Sequence, residues 1–337
     1  MKPGDWVCAA CTGELEAARP DERRCLACGR SYPVEGGILD LRLAADPYIE
    51  PAPDRAKAAE LCRRTRGRSF EAMIEEYYAM TPEVRPGMAA RYAARALAEP
   101  ALARLWLAEI AARAPSRGLP PRLLQVGCRT GGFLEMAACS GYDAAGTDVA
   151  FRWLAVAGRR LESAGAEAAL ACANAEHLPL PDACVDIVVA ADVLQHLADP
   201  AAAFRQFHRI LRPGGGLYVV TPNRFSVGPE PHTWIWALGY LPRPWAQELV
   251  RRRGQSGYEN IHLLSLRRLR TMLAASWVGV EVWAGSIPSP SAAHLRAHER
   301  RLVGAYEALR SSRLGRGLAL HFGPLLHAWA EKPAERA

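Results

Sequence analysis

The chain has 337 residues, half of them apolar and 23% charged, which excludes disorder and leaves room for one large domain plus a small one. Its formal net charge of +7 comes from 39 arginines and only three lysines (Lys2, Lys57, Lys332), a balance that admits an anionic partner without demanding nucleic acid. No apolar run reaches the 18 or so residues of a spanning helix, and MKPGDWVCAA lacks a signal-peptide core, so a cytoplasmic protein with reduced cysteines is expected.

The first element is a cysteine framework. CAAC (Cys8, Cys11) is followed after thirteen residues by CLAC (Cys25, Cys28), and two such turns place four thiolates around one zinc ion. Four cysteines fill a tetrahedron, so the site reads as structural, and metal binding would supply folding energy that so short a segment cannot draw from a core. The other five cysteines (Cys62, Cys128, Cys139, Cys172, Cys184) are scattered, mostly in apolar surroundings, as small core residues. The next stretch, GRSYPVEGGILDLR, predicts a strand over 31–34, a turn at Gly36 and Gly37, and a further apolar stretch. Residues 8–43 thereby resemble the Trm112-like zinc ribbons that carry a YPV-x-x-G-I signature. The resemblance implies a partner or substrate adaptor, and residues 1–43 are read as a zinc-ribbon module.

Residues 44–57, AADPYIEPAPDRAK, read as a linker. Apolar residues at helical spacing follow, broken at Pro82, Pro86 and Pro100, so 44–119 is expected to be a linker and helical cap over the main domain's entrance. Tyr77 and Tyr78 read as packing residues there.

From Pro121 the pattern alternates. Strand-like runs RLLQV, DAAGTD, AALAC, VDIVVAA and GLYVVTP are separated by helical stretches over 132–140, 151–164 and 200–211. Such alternation implies an α/β fold with a parallel, doubly wound sheet, whose ligands sit at the carboxyl ends of the strands. Those ends carry Gly127-Cys-Arg-Thr-Gly131, then Asp148, then Asn174-Ala175, then Asp192 with His196, then Thr221-Pro-Asn-Arg. A carboxylate placed like Asp148 accepts hydrogen bonds from ribose hydroxyls.

The segment NAEHLPLPDACVDIVVAADVLQHLADPAAAFRQFHRILRPGGGLYVVTPN resembles the class I S-adenosylmethionine-dependent methyltransferases, in the branch that includes the ubiquinone-pathway enzymes. The likeness extends over about 120–223. It implies a seven-stranded Rossmann-like sheet with an antiparallel last strand, for which VGVEVWAG (278–285) and LLHAWAEK (325–332) supply the sixth and seventh strands around a helix over 291–312. It also implies that Gly127 and Gly131 let the backbone approach the methionine half of S-adenosylmethionine. Asp148 would bind the ribose, Val149 would lie against adenine, Asn174 and the Ala175 N–H would face the ring, and Asp192 would close the methionine side. Two positions depart from the pattern. Gln125 replaces a usual acid but keeps a carbonyl for the cofactor's ammonium, and Arg129 replaces a usual glycine. Arg129 is expected to pair with the cofactor's carboxylate or to face solvent.

Methyl transfer needs a base only when the acceptor must lose a proton, and His196 and His262 are the candidates. The methyltransferase domain is taken as 120–337, with a lid insertion at 223–264. Trp234, Trp236, Tyr240 and Trp245 in that insertion lie beside His232 and Arg251-Arg252-Arg253. Three readings stay open for it: a plain lid, a membrane-surface contact through 232–253, and an RNA surface, which is the less favoured. The function expected is methyl transfer to a small-molecule, glycan or lipid-linked acceptor. Its alternatives are an rRNA methyltransferase and a non-catalytic adaptor.

Overall fold

Seven consecutive residues of VDIVVAA are buried, as a strand covered on both faces requires, and the sheet is built outward from it. A computed structural model of the chain describes residues 5–84, 86–114, 120–255, 258–287 and 297–334. In chain order the amino-terminal strands are β1 (Leu15–Arg19), β2 (Glu22–Cys25), β3 (Ser31–Glu35) and β4 (Ile38–Asp40). Helices α1 (Pro51–Arg64), α2 (Phe70–Ala79) and α3 (Pro86–Ala111) follow. The alternating core is β5 (Arg122–Val126), α4 (Gly132–Cys139), β6 (Asp143–Asp148), α5 (Phe151–Ala164), β7 (Ala169–Cys172), β8 (Val185–Ala191), α6 (Pro200–Ile210) and β9 (Leu211–Pro222). Helices α7 (Arg243–Arg252) and α8 (Leu266–Ala274) lead to β10 (Val278–Ala284), α9 (Ala297–Ser311), α10 (Gly315–Phe322) and β11 (Leu325–Glu331).

The expected seven strands are present in the order β7-β6-β5-β8-β9-β11-β10, with β11 antiparallel to both neighbours. The sheet does not stop at seven. Strand β4 pairs in parallel with β7, Leu39 opposite Ala171 and Asp40 opposite Cys172, and β1 to β3 continue outward to eleven strands among the described residues. The cysteine-bearing module is therefore an extension of the main sheet. Side chains alternate between two cores: Leu124 and Val126 enter one with β4 and α6, while Leu123 and Ile187 enter the other with α3, α4 and α5.

Two amino-terminal expectations need correction. The segment read as a linker is helical from Pro51 onward, and its acids are structural. Asp54 is fully buried: it accepts from Arg42 and Arg152 and from the backbone N–H groups of Phe151 and Arg152. Arg42 also binds Asp40, and Arg152 also binds Asp46. The acids that look like linker composition thus form a buried ion network. The expected break at Pro100 is absent too, since α3 runs through it. Proline removes the hydrogen bond to the carbonyl four residues back, and here that carbonyl, of Ala96, accepts from the Arg160 guanidinium at 2.6 Å. Of the helix expected over 291–312, residues 291–296 lie outside the described residues, and α9 covers most of the remainder.

Candidate active site

The loop after β5 folds back on β6: the N–H groups of Gly127 and Cys128 both donate to Thr147 O, at 2.7 and 3.0 Å. Gly127 and Gly131 have φ of 71° and 76°, which favours glycine. A Cβ at Gly127 would come within 2.2 Å of Val193, and one at Gly131 within 2.9 Å of Ala157. Arg129 takes φ 48° without being glycine, a conformation costing of order 1–3 kcal/mol.

Asp148 ends β6 next to this loop. Its Oδ2 accepts from the Arg129 N–H (2.8 Å) and its Oδ1 from the Ala150 N–H (2.9 Å), leaving acceptor capacity on both oxygens. Burial pushes its pKa up, against those two hydrogen bonds. The Gln125 carbonyl oxygen is buried with no partner among the described residues, an acceptor left over at the end of β5. A glycine cradle, a carboxylate with spare lone pairs and an orphaned carbonyl fit a ligand with an ammonium and a ribose. Val149 and Ala175 lie at the neighbouring strand ends, and Val149 O is held by Arg42. Asn174 is placed differently from expectation. Its Oδ1 accepts from Leu43 and Ala44 and its Nδ2 donates to Ala44 O, so the side chain anchors the segment after β4 and is not free for an adenine amino group.

Asp192 follows β8 with φ 63°. Burial opposes its ionisation, but Arg95 and Arg129 hold its carboxyl well below the usual carboxylate range. Arg95, from α3, makes the closer contact, and the Arg129 guanidinium lies 3.5 Å away. Arg129 therefore turns toward Asp192, with part of its side chain open to solvent.

His196 closes a single 3-10 turn (Leu194–His196), and its ring meets that of His232 edge-on at 4.9 Å. His196 Nδ1 and His232 Nε2 are both buried without a partner among the described residues. Burial lowers both imidazoles, and His232, further depressed by His196, falls to about 3, so both are neutral acceptors at neutral pH. Glu230 stands next to His232, with one oxygen holding the His232 and Thr233 N–H groups and the other without a partner among the described residues. His262 is not part of this group. Its ring lies against the Arg243 guanidinium, in a groove of about 540 Å³ whose lining includes neither Asp192 nor His196. His232, Glu230 and Arg95 were the residues missed. A histidine in an aromatic-rich insertion was the one available signal, and only tertiary packing brings it to His196.

In the amino-terminal module, the Sγ atoms of Cys8, Cys11, Cys25 and Cys28 lie within 4.8 Å of one another, with Cys8–Cys28 at 3.6 Å and Cys11–Cys25 at 3.5 Å. A tetrahedron with metal–sulfur bonds of about 2.3 Å has edges of about 3.8 Å, so the four thiols fit one metal.

Residues 124–219 match the methyltransferase domain family. The matched segment holds the glycine loop, Asp148, Asn174, Asp192 and His196. A probable S-adenosylmethionine-dependent methyltransferase of Mycobacterium tuberculosis is 38% identical over 113 residues, 34% of this chain and 40% of that protein. A ubiquinone biosynthesis O-methyltransferase of Cereibacter sphaeroides is 33% identical over 142 residues, 40% of this chain and 55% of its own. The chain thus spans about half the length of these relatives, or less. Among solved structures, Haemonchus contortus phosphoethanolamine N-methyltransferase 2 bound to S-adenosylmethionine aligns at 21% identity with a TM-score of 0.46, covering 67% of this chain and 52% of that one.

Proposed function

We propose that the protein is an S-adenosylmethionine-dependent methyltransferase whose acceptor meets the end of β8 under the lid, and that Cys8, Cys11, Cys25 and Cys28 hold a structural zinc ion. The carrying observation is the set of open acceptors at consecutive strand ends: the buried Gln125 carbonyl, the spare lone pairs of Asp148, and the glycine cradle between them. When bound, the cofactor supplies a methyl group made electrophilic by its sulfonium. Gln125 accepts from its ammonium and Asp148 from its ribose hydroxyls. Arg129, now partnering Asp192, is the guanidinium available to its carboxylate, and Arg95 keeps Asp192 paired when Arg129 is engaged.

The neutral His196–His232 pair supplies two desolvated nitrogens that accept a hydrogen bond from an acceptor O–H or N–H and aim its lone pair, and His196, the less depressed of the two, receives its proton as the new bond forms. The partial likeness to ubiquinone biosynthesis O-methyltransferases supports a hydroxyl acceptor, within the class of small-molecule, glycan or lipid-linked compounds. Calorimetric titration with S-adenosylhomocysteine tests the reading: stoichiometric binding is expected, and no heat of binding from folded protein refutes it. Elemental analysis of the purified protein should return one zinc per chain. Chelation should raise hydrogen exchange across β1 to β3 before it affects β5 to β9.

A further inference from the structure

The lid has a core of its own. Ile235, Leu238, Ala246, Val250, Tyr258 and Ile261 pack together beneath it, so the large apolar side chains on its outside are surplus to folding. Phe225, Val227 and Tyr240 are among these. The rings of Phe225 and Tyr240 lie 5.3 Å apart, and the Val227 N–H donates to Phe322 O at 3.1 Å, joining the lid to the end of α10. On α10 itself, Leu318 and Phe322 are four positions apart on one exposed face, and Leu314, 92% exposed, continues that face backward. Trp236, also exposed, is bridged through its backbone to Pro229, two positions from Val227. Two segments distant in sequence thus contribute one apolar surface, where scattered single exposures would be ordinary.

Its charge is one-sided. Residues 223–253 and 313–323 contain seven arginines, and their only acids are Glu230 and Glu248. Glu230 is buried, and Glu248 is taken up by Arg251 and Arg252 at 2.8 and 2.7 Å. Arg313 and Arg316 flank Leu314, and Arg224 lies over the Phe225 ring. Tryptophan and tyrosine beside aliphatic side chains, rimmed by guanidinium groups, match the boundary between acyl chains and anionic headgroups. No described helix is long and apolar enough to span a bilayer, so any such contact is peripheral.

We infer that this face of the lid and α10 docks on an anionic lipid bilayer. A second copy of the chain is the poorer occupant, because a two-fold contact would set these arginines against themselves. RNA is poorer as well, since it gives Val227, Leu314 and Leu318 nothing apolar to enter. The inference does not rest on the methyltransferase reading.

The test is sedimentation of the full chain with vesicles of phosphatidylglycerol and phosphatidylcholine in equal parts, against phosphatidylcholine alone. Pelleting with the mixed vesicles is expected, weakened by high salt and by removal of phosphatidylglycerol. Leu318→Asp, at an exposed position, should cut binding about tenfold or more, and Arg316→Gln roughly fivefold. Circular dichroism and S-adenosylhomocysteine affinity should stay unchanged in both variants. Failure to pellet, or equal pelleting of Leu318→Asp, overturns the inference. So does a concentration-dependent dimer in gel filtration that Leu318→Asp abolishes, which assigns the face to a second copy. Retention of homopolymeric RNA in place of vesicles overturns it too.

Discussion

Helices α6 and α8 carry their own caps: Asp199 accepts from the Ala202 N–H and Ser265 from the Arg268 N–H. Helices α4 and α5, which begin beside the candidate cofactor loops, do not, since their cap positions are Gly131 and Ala150. Their first N–H groups are satisfied from elsewhere in the chain. Glu99 of α3 reaches Gly132 N and the Thr130 hydroxyl, and Asp54 of α1 reaches the N–H groups of Phe151 and Arg152. The carboxylates that take those N–H groups thus come from α1 and α3, not from the loops themselves. Remote capping leaves the loops small while binding the amino-terminal helices to them.

Removing a remote cap should therefore cost more than removing a local one. Asp54→Ala leaves Arg42 and Arg152 without a shared carboxylate in a buried setting, and denaturant unfolding should show a loss of about 3–5 kcal/mol. A loss under about 1 kcal/mol would mean the network contributes little. Asp148→Ala should weaken S-adenosylhomocysteine binding by about tenfold to a hundredfold in calorimetry, through lost hydrogen bonds to a charged group. Undiminished affinity would show that the strand-end assignment is misplaced. For His232 the sign is set by its depressed pKa. The unfolded chain binds a proton near pH 6.5 and the folded chain only near 3, so stability is full above about 6.5 and falls as pH drops toward 3. His232→Phe should flatten that slope in thermal melts across the same window. Asp199→Ala is the smallest effect, about 1 kcal/mol, with cofactor affinity unchanged.

The strands and helices of 121–222 declare themselves by local periodicity, but the seven-strand sheet with its antiparallel last strand was what the resemblance implied. The glycine loop, Asp148 and Asp192 are read at the strand ends, and the resemblance supplied the roles of the loop and of Asp192. What stayed hidden depends on partners far off in sequence. Asn174 looks like a ligand at a strand end until Leu43 and Ala44 are seen donating to it. Acids at 46 and 54 look like linker composition until Arg42 and Arg152 arrive. His232 and His262 are equally plausible in a list of residues, and only the folding of the insertion sends the first to His196 and the second to Arg243. A proline that should end a helix does not, because an arginine sixty residues later, Arg160, takes the freed carbonyl.

Strand β4 has a consequence for how the chain is made. Leu39 and Ala171 are neighbours in the sheet and 132 residues apart in synthesis, so β4 leaves the ribosome long before its partner exists. Were the four thiols to hold a metal as proposed, the module around it would assemble early, as a template against which the late-arriving β7 could pair. A nascent chain lacking that template would carry β7 as an open edge, available to any strand of any neighbour on the same polysome.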